Sequence, residues 1–316
     1  MPFRPNMEDV RDRARGAFLG LALGDALGAT VEFMLPGEIR ALHGVHREIT
    51  GGGWLRLRPG AVTDDTQMSI WMGRAIANGG GWDLRRSAVH LAAWLRTGPA
   101  DVGNTVRRGR RRFVVEGTLQ GEPSPGDAGN GAAMRMLPVS LATLADHEAM
   151  RRAAVEQGRL THNHPLSDAA CVHLGELLHM ACLGLGMPRL RRASDTFVRA
   201  LPEFVFSPHR GESGGYVVET LATVLHHLYA SRSFEETLVG VVNRGGDADT
   251  TGAIASAIAG AYHGPGDLPR RWLRRLDPEV REEAEWLGER LVNLSPLARG
   301  EPPDLGAGAG LDGATG

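Results

Sequence analysis

Apolar residues recur at i, i+3 and i+4 spacing through most of the chain, which is the pattern of helices that bury one face. This spacing predicts helices over residues 8–27, 64–78, 83–96, 130–144, 147–159, 166–184, 215–230, 250–263 and 278–293. Alternation with a period of two is confined to two short runs, 60–62 and 204–206. We therefore predict an all-α fold, a single compact multi-helix domain of about a dozen helices.

Turn-forming residues separate these segments without dividing the chain into domains. Pro138 is expected to break or kink the 130–144 helix, and Pro165 to lie in the first turn of the helix that follows. No shift in composition marks a domain boundary, so we expect one domain over residues 1–299. The Gly-rich segment 300–316 has little to bury, and we predict that it is a disordered tail.

The composition narrows the possible chemistry. Glycine contributes 43 residues and aromatics only 5%, so the core is expected to pack by close backbone approach. All 35 basic residues are arginine, which excludes Schiff-base lysines and phosphate-binding loops that end in Gly-Lys. A net charge of −2 argues against a nucleic-acid binder. Since the chain shows neither a secretory signal nor an apolar run of about 18 residues, a cytoplasmic protein is expected.

Two acidic clusters stand directly before predicted helices. The first is TDDT at 63–66, and the second is DADTT at 247–251. Helix capping is one interpretation, since Asp and Thr satisfy free N–H groups at helix starts. Capping needs only one acceptor, however, and adjacent carboxylates repel one another unless a cation compensates. Ligand sets made only of oxygen favour Mg²⁺, Mn²⁺ or Ca²⁺ over zinc, so the clusters indicate a site for two divalent ions.

Other residues near these clusters, or before them in the chain, are also candidates for the site. Asp25 interrupts an apolar helix, and we expect a buried arginine or a backbone amide to satisfy its carboxylate. Glu32 follows that helix and is free to approach a substrate. Gly245 and Gly246 precede the second cluster and allow the backbone to come close to a ligand.

Two further groups favour a structural interpretation. His162, His164, His173 and His179 suggest zinc, but their spacing matches no zinc pattern. The arginine-rich run 107–112 could attract a diphosphate or an acidic protein, although a solvated charged face is the favoured interpretation.

Five motifs, in order, resemble those of the ADP-ribosylglycohydrolases. They are GAFLGLALGDALGATVEF, TDDTQ, GNGAAMR, THNHP and NRGGDADTTGAIA, and the resemblance extends from about residue 12 to residue 293. The motifs are most similar to the bacterial branch of that family that acts on dinitrogenase reductase. This resemblance implies an all-α fold and a metal-dependent hydrolase that removes ADP-ribose from an arginine side chain of a modified protein.

The resemblance also implies roles for individual residues. Two divalent cations, Mn²⁺ or Mg²⁺, would be held by Thr63, Asp64, Asp65, Asp247, Asp249 and Thr250. The catalytic residues would be Asp101, Glu32, Asp64 and Asp249, with Glu32 over the ribose and Asp101 as the acid–base candidate. Substrate would be bound by Asn104, Asn130, Gly131, His162, Gly245, Gly246 and Tyr216, the last by stacking on adenine.

The partners implied by the resemblance are an ADP-ribosylated protein, dinitrogenase reductase in particular, and a PII-type regulatory protein that would attach the chain peripherally to a membrane. Three alternatives remain. A terpenoid synthase would usually carry DDxxD, whereas position 68 here is Met. The others are a hydrolase acting on a different ADP-ribosyl linkage or small molecule, and a non-catalytic ADP-ribose binder, which is disfavoured because every expected metal ligand is present.

Overall fold

The computed structural model describes residues 4–209 and 213–304. Within these ranges the chain forms helices and turns, with two isolated β-bridges (Gly52 with Leu57, and Gly129 with Tyr216) and no strand, which confirms the all-α prediction. The α-helices of the described residues are α1 (Met7–Gly28), α2 (Pro36–His43), α3 (Asp64–Gly79), α4 (Leu84–Arg96), α5 (Asn104–Glu116), α6 (Leu137–Ala142), α7 (His147–Arg159), α8 (Pro165–Cys182), α9 (Met187–Ala200), α10 (Val217–Ala230), α11 (Phe234–Val242), α12 (Ala248–His263), α13 (Arg270–Leu273) and α14 (Pro278–Leu294).

The predicted helix over 130–144 is wrong for most of its length. Only Leu137–Ala142 is helical, and residues 130–136 form successive turns in which the N–H groups of Ala133 and Met134 both donate to the carbonyl of Asn130. Pro138 has no N–H with which to continue a helix from those turns, so the helix starts beside it. Helices α2, α5, α9, α11 and α13 were not predicted. Three of them, α2, α11 and α13, span only 8, 9 and 4 residues, which is too short for the apolar spacing to repeat, and α5 and α9 are rich in arginine.

Helices α1 and α12 form the centre of the fold and run antiparallel in direct backbone contact. Along α1 a glycine recurs every fourth residue at positions 16, 20, 24 and 28, facing Gly260, Ser256, Gly252 and Ala248 of α12 in turn. A Cβ atom built on Gly252 would lie only 2.8 Å from the Gly24 carbonyl oxygen, closer than real side chains come. The expectation of close backbone packing is met here, because neither helix has room for larger residues on this face.

The other helices enclose this pair. Helices α3, α6 and α14 contact one another beside α1, and α8, α10 and α11 each contact α12. The antiparallel arrangement brings the carboxyl end of α1 to the amino end of α12, and α3 begins against the same end of α1. Three chain segments that carry acidic residues are thereby brought to one end of the bundle.

The predicted tail begins at residue 300, and its first residues contact the helical body. Pro303 is buried, and the N–H of Asp304 donates to the carbonyl of Ala145 at 3.0 Å. Residues 305–316 lie outside the described residues, so the disorder of the tail stays a prediction. Among the residues that the structure describes, no helix combines the length and apolar character that crossing a bilayer requires.

Candidate functional site

Asp25 fastens the start of α3 to α1. Its carboxylate accepts the N–H of Thr63 at 2.9 Å, the N–H of Thr66 at 3.0 Å, and both threonine hydroxyls at 2.9 and 2.5 Å. Backbone amides, rather than an arginine, therefore satisfy this buried group. Burial nevertheless raises the pKa of Asp25 to about 6, and the four hydrogen bonds limit that rise.

The helix-capping interpretation of the acidic clusters is not what the structure shows. Thr63 and Asp247 occupy the N-cap positions of α3 and α12, yet neither side chain makes a capping hydrogen bond. Asp25, which belongs to α1, caps α3 instead. The carboxylates of Asp64 and Asp65, in the first turn of α3, are thus left for another role.

The two clusters meet in space. The hydroxyl of Thr63 lies 3.2 Å from Asp65 Oδ2 and 3.4 Å from Asp249 Oδ2, and the Thr250 hydroxyl donates to Asp65 Oδ2 at 3.2 Å. Single carboxylate oxygens of Glu32, Asp247 and Asp249 all lie within 4.8 Å of one another. The segment after α1, the start of α3 and the start of α12 therefore contribute to one concentration of acidic oxygens.

Burial and mutual repulsion raise the pKa values of these carboxyl groups. For Asp65 and Asp249 the pKa is raised well above the ordinary range, first by burial and then by neighbouring carboxylates. The pKa of Asp64 is raised to about 7 by burial and by Asp101. That of Glu32 rises to about 8, because burial and three nearby aspartates outweigh a hydrogen bond from Trp54.

The acidic residues fit a bound cation. Asp65 Oδ1 is buried and accepts no hydrogen bond, although a buried carboxylate oxygen normally has a donor. Its neighbours offer only carboxylate and hydroxyl oxygens, which are the ligands that Mg²⁺ and Mn²⁺ prefer. A divalent ion would provide the missing partner and offset the repulsion between carboxylates. Glu32, expected as a catalytic residue, lies within this same acidic group.

A cavity of about 470 Å³ opens above the acidic group. Its size is typical of a site for a small organic molecule. Eleven of the expected site residues line it: Glu32, Asp64, Asp101, Asn104, Asn130, Gly131, His162, Gly246, Asp247, Asp249 and Thr250. Thr63 and Asp65 are not among the lining residues and lie buried beneath the cavity floor, joined to it through Asp249 and Thr250.

The wall opposite Glu32 is built by the turns before α6. Asn130 donates through Nδ2 to Asp247 Oδ2 at 2.6 Å, which ties this wall to the second acidic cluster. His162 packs directly on Gly131, where a Cβ atom would lie 2.8 Å from the imidazole. Burial, with Arg135 and Arg108 nearby, lowers the pKa of His162 to about 3, so its ring is neutral.

Gly245 and Tyr216 do not line the cavity. Gly245 has a φ of +66°, and a Cβ atom there would collide with the carbonyl of Met34. This glycine therefore admits the chain after α1, and its expected role in substrate contact stays a prediction. Tyr216 precedes α10 with its side chain 42% exposed, next to the cavity-lining Gly215. Its stacking on adenine stays a prediction.

Several site residues were missed by sequence reasoning. Arg135 is fully buried and donates to the Gly131 carbonyl at 2.6 Å and to the Thr161 hydroxyl at 2.7 Å, holding both segments of the wall. Its place in the GNGAAMR motif was the available signal. Phe33 lines the cavity, and Trp54 donates to Glu32 Oε2 at 2.5 Å.

The other three histidines of the group first considered for zinc make hydrogen bonds within the fold. His164 accepts the N–H of Leu166 at the start of α8, His173 pairs with Ser194, and His179 pairs with the Ser140 carbonyl. Their partners lie on different elements, and among the described residues none of these three belongs to a group of three or more possible metal ligands.

The arginine-rich run 107–112 is only partly a solvated face. It lies on α5, where Arg107, Arg108 and Arg111 are exposed. Arg110 departs from that expectation, because it is buried with its guanidinium over the Trp94 ring. That burial lowers the pKa of Arg110 to about 9.

Comparison with known proteins agrees with this arrangement. A model of the family described as ADP-ribosylglycohydrolase matches residues 6–301. The ADP-ribosyl-(dinitrogen reductase) glycohydrolase of Rhodospirillum rubrum is 50% identical over 288 residues, covering 91% of this chain and 98% of that protein.

More distant relatives match over a similar share of this chain. The ADP-ribosylarginine hydrolase Tri1 of Serratia proteamaculans is 30% identical over 310 residues, covering 92% of this chain and 82% of its own length. A solved structure described as an ADP-ribosylglycohydrolase-related protein complex superposes with a TM-score of 0.80 at 35% identity, covering 91% of this chain and 99% of the other. The motif-based resemblance is thus confirmed over nearly the whole chain.

Proposed function

This chain belongs to the ADP-ribosylglycohydrolase family, and from that premise we propose that it hydrolyses the N-glycosidic bond between ADP-ribose and an arginine side chain of a modified protein. The names of its relatives in Rhodospirillum rubrum and Serratia proteamaculans support this linkage. The observation that carries the proposal is the acidic floor of the cavity, where oxygens of Glu32, Asp247 and Asp249 converge within 4.8 Å.

The reaction exchanges one bond at the anomeric carbon of the ribose for another. A water oxygen bonds to that carbon, the carbon–nitrogen bond to the guanidinium group breaks, and the departing nitrogen receives a proton. Positive charge develops on the ribose ring during this exchange, and nearby carboxylates stabilise it. In this chain Asp64, Asp101 and Asp249 all face the cavity in which the ribose would lie.

Proton transfer at neutral pH requires groups whose pKa is close to 7. Burial raises the pKa of Asp101 above its ordinary value, and so toward the range that proton transfer requires, and it raises the pKa of Glu32 to about 8. We assign Asp101 as the acid–base residue. We assign Glu32 to the ribose, where the Trp54 indole fixes its direction.

Divalent cations, two in number and either Mn²⁺ or Mg²⁺, complete the proposed site. Thr63, Asp64, Asp65, Asp247, Asp249 and Thr250 would hold them, with Glu32 at the edge of the same group. When bound, such ions supply Lewis acidity and lower the pKa of a coordinated water. Asn104, Asn130, Gly131, His162 and Gly246 would bind the remainder of the ADP-ribose along the cavity walls.

The proposed substrate protein is dinitrogenase reductase, the protein named in the description of the Rhodospirillum rubrum relative. This chain and that relative match over 98% of the relative's length, which supports a shared substrate. Interaction with a PII-type protein, peripheral membrane attachment through it, and a cytoplasmic location remain predictions of the sequence.

The test compares linkages under defined metal conditions. Peptides carrying ADP-ribose on arginine or on serine are incubated with the chain in Mn²⁺, in Mg²⁺ and in EDTA, and free ADP-ribose is measured by chromatography. Release from the arginine peptide alone, abolished by EDTA, is the expected result. Preferential release from serine would contradict the proposed linkage, and binding of ADP-ribose without any release would favour a non-catalytic binder.

A further inference from the structure

Two large, exposed aromatic side chains lie side by side next to the cavity. Phe33 is 65% exposed and Trp54 is 51% exposed, although aromatic rings account for only 5% of this chain. Their ring centroids are 5.5 Å apart with planes inclined by 47°, and Phe33 lines the cavity itself. A neighbouring pair of uncovered rings beside a ligand cavity is typical of a surface that a ligand covers.

The backbone holds Phe33 in a conformation that bulky residues rarely adopt. Its φ is +62°, in the left-handed region. The Phe33 N–H donates to the Gly246 carbonyl at 2.6 Å, and the Gly246 N–H donates to the Met34 carbonyl at 2.9 Å. These two bonds fix the backbone of Phe33 to the loop that precedes the second acidic cluster. Strained residues held in this way concentrate at ligand sites.

Trp54 is fixed from a different direction. It follows Gly51, Gly52 and Gly53, which all have positive φ, and a Cβ atom on Gly53 would collide with the carbonyl at the end of α1. The indole N–H donates to Glu32 Oε2 at 2.5 Å. The ring therefore lies next to the carboxylate that takes part in the acidic group, on the solvent side of it.

We propose that Phe33 and Trp54 form the binding site for the arginine side chain from which ADP-ribose is removed. This inference rests on the proposed function, which places the anomeric carbon at the acidic group. The group leaving that carbon must pass from the acidic group to solvent. Both rings are exposed next to that group, since Phe33 lines the cavity and Trp54 donates to Glu32. A guanidinium is planar and cationic and stacks on aromatic faces, whereas adenine is separated from the reacting bond by the second ribose and the diphosphate.

The central experiment replaces Phe33 by leucine, which keeps an apolar side chain but removes the ring. For the arginine-linked peptide we expect KM to rise by about three- to tenfold while kcat stays within about twofold of the wild-type value. The Kd of free ADP-ribose, measured by calorimetry in Mn²⁺, is expected to stay unchanged, since that molecule lacks the guanidinium. Trp286→Leu, on the exposed face of α14, is the matched control and is expected to change none of these values.

A second variant separates ring contact from the positioning of Glu32. Trp54→Phe retains an aromatic face but loses the N–H that reaches Glu32. We expect it to lower kcat with little effect on KM, the opposite split from Phe33→Leu. Thermal melts of both variants verify folding.

Three results would overturn the inference. One is an unchanged KM in Phe33→Leu, and another is an equal weakening of ADP-ribose binding, which would place adenine on the rings instead. The third is a wild-type chain that binds the arginine-linked peptide no more tightly than ADP-ribose. Tight binding of that peptide without turnover would instead contradict the proposed function and leave the ring site supported.

Discussion

Asp25 accepts both the backbone N–H and the hydroxyl of Thr63, each at 2.9 Å, and so joins the middle of the fold to the first acidic cluster. The carboxylate acts as the N-cap of α3 although it belongs to α1. This arrangement orients Asp64 and Asp65, because both directly follow Thr63 in the first turn of α3. Asp25 therefore positions the carboxylates of the site and does not itself line the cavity.

Replacement of Asp25 by alanine is expected to destabilise the chain by roughly 3 kcal/mol, because two buried N–H groups and two hydroxyls lose a charged acceptor. A drop in Tm of about 5 °C or more would follow. Asp25→Asn keeps one acceptor oxygen and should fall between this variant and the wild type. Equal Tm values for Asp25→Ala and the wild type would show that the bonds to α3 contribute nothing.

Asp249→Ala is expected to abolish hydrolysis without unfolding the chain. Asp249 is buried beside Asp65, so its removal relieves repulsion between carboxylates. Addition of Mn²⁺ should raise the Tm of the wild type, since a ligand that binds only the folded state stabilises it. The variant should lose that rise, whereas Glu122→Ala, an exposed loop carboxylate, should keep it. Near-normal turnover of Asp249→Ala with metal present would contradict the assignment.

Gly24→Ala tests the backbone contact between α1 and α12. The added methyl group would overlap the Gly252 carbonyl and the Ser256 hydroxyl, so the helices would have to separate. We expect a loss of roughly 3 kcal/mol or more in the free energy of unfolding, measured in urea. Gly37→Ala is the control, because it lies on α2 with nothing near the position of the new Cβ. Similar stabilities of the two variants would exclude this contact as the basis of the fold.

Acid should weaken the fold through buried His179. Its Nε2 lies 2.9 Å from the Ser140 carbonyl, its Nδ1 has no partner, and burial lowers its pKa to about 4. Unfolded histidine takes up a proton near pH 6.5, whereas this one stays neutral until about pH 4. Its contribution to stability is therefore complete above pH 6.5 and declines as the pH falls from 6.5 to 4, by up to about 3 kcal/mol.

Measurement of Tm at pH 7 and pH 5 checks this. In His179→Gln, which can still donate to Ser140, the loss of Tm between the two pH values should be smaller than in the wild type. Exposed His43→Gln should behave as the wild type does. An unchanged pH dependence in His179→Gln would assign the acid sensitivity elsewhere.

The end of the chain is expected to be dispensable beyond Asp304. Removal of residues 305–316 should leave hydrolysis unchanged and Tm within about 1 °C, because a Gly-rich segment gains too little contact to offset an ordering cost of roughly 1–2 kcal/mol per residue. Removal of 300–316 also deletes buried Pro303 and the bond from Asp304 to Ala145, so Tm should fall by about 2–4 °C. A shift of several degrees from the shorter deletion would show that the tail docks on the domain.

The sequence by itself determined the helical class, most of the long helices and the family. These follow from features local in the chain: apolar spacing repeats within a few turns, and each motif occupies a short run such as TDDTQ. The glycine content likewise predicted close backbone packing, which the contact of α1 with α12 shows. Helix backbones touch only where the residues between them are glycine or other small residues.

Only the tertiary structure decided how distant residues act on one another. That Asp25 caps α3, that Arg135 holds the cavity wall, and that Trp54 directs Glu32 all depend on contacts between segments more than 20 residues apart. Local pattern carries no information on such pairs. Nor does it show that Gly245 admits the Met34 carbonyl, because such a close approach depends on what packs against a residue rather than on its neighbours in the chain.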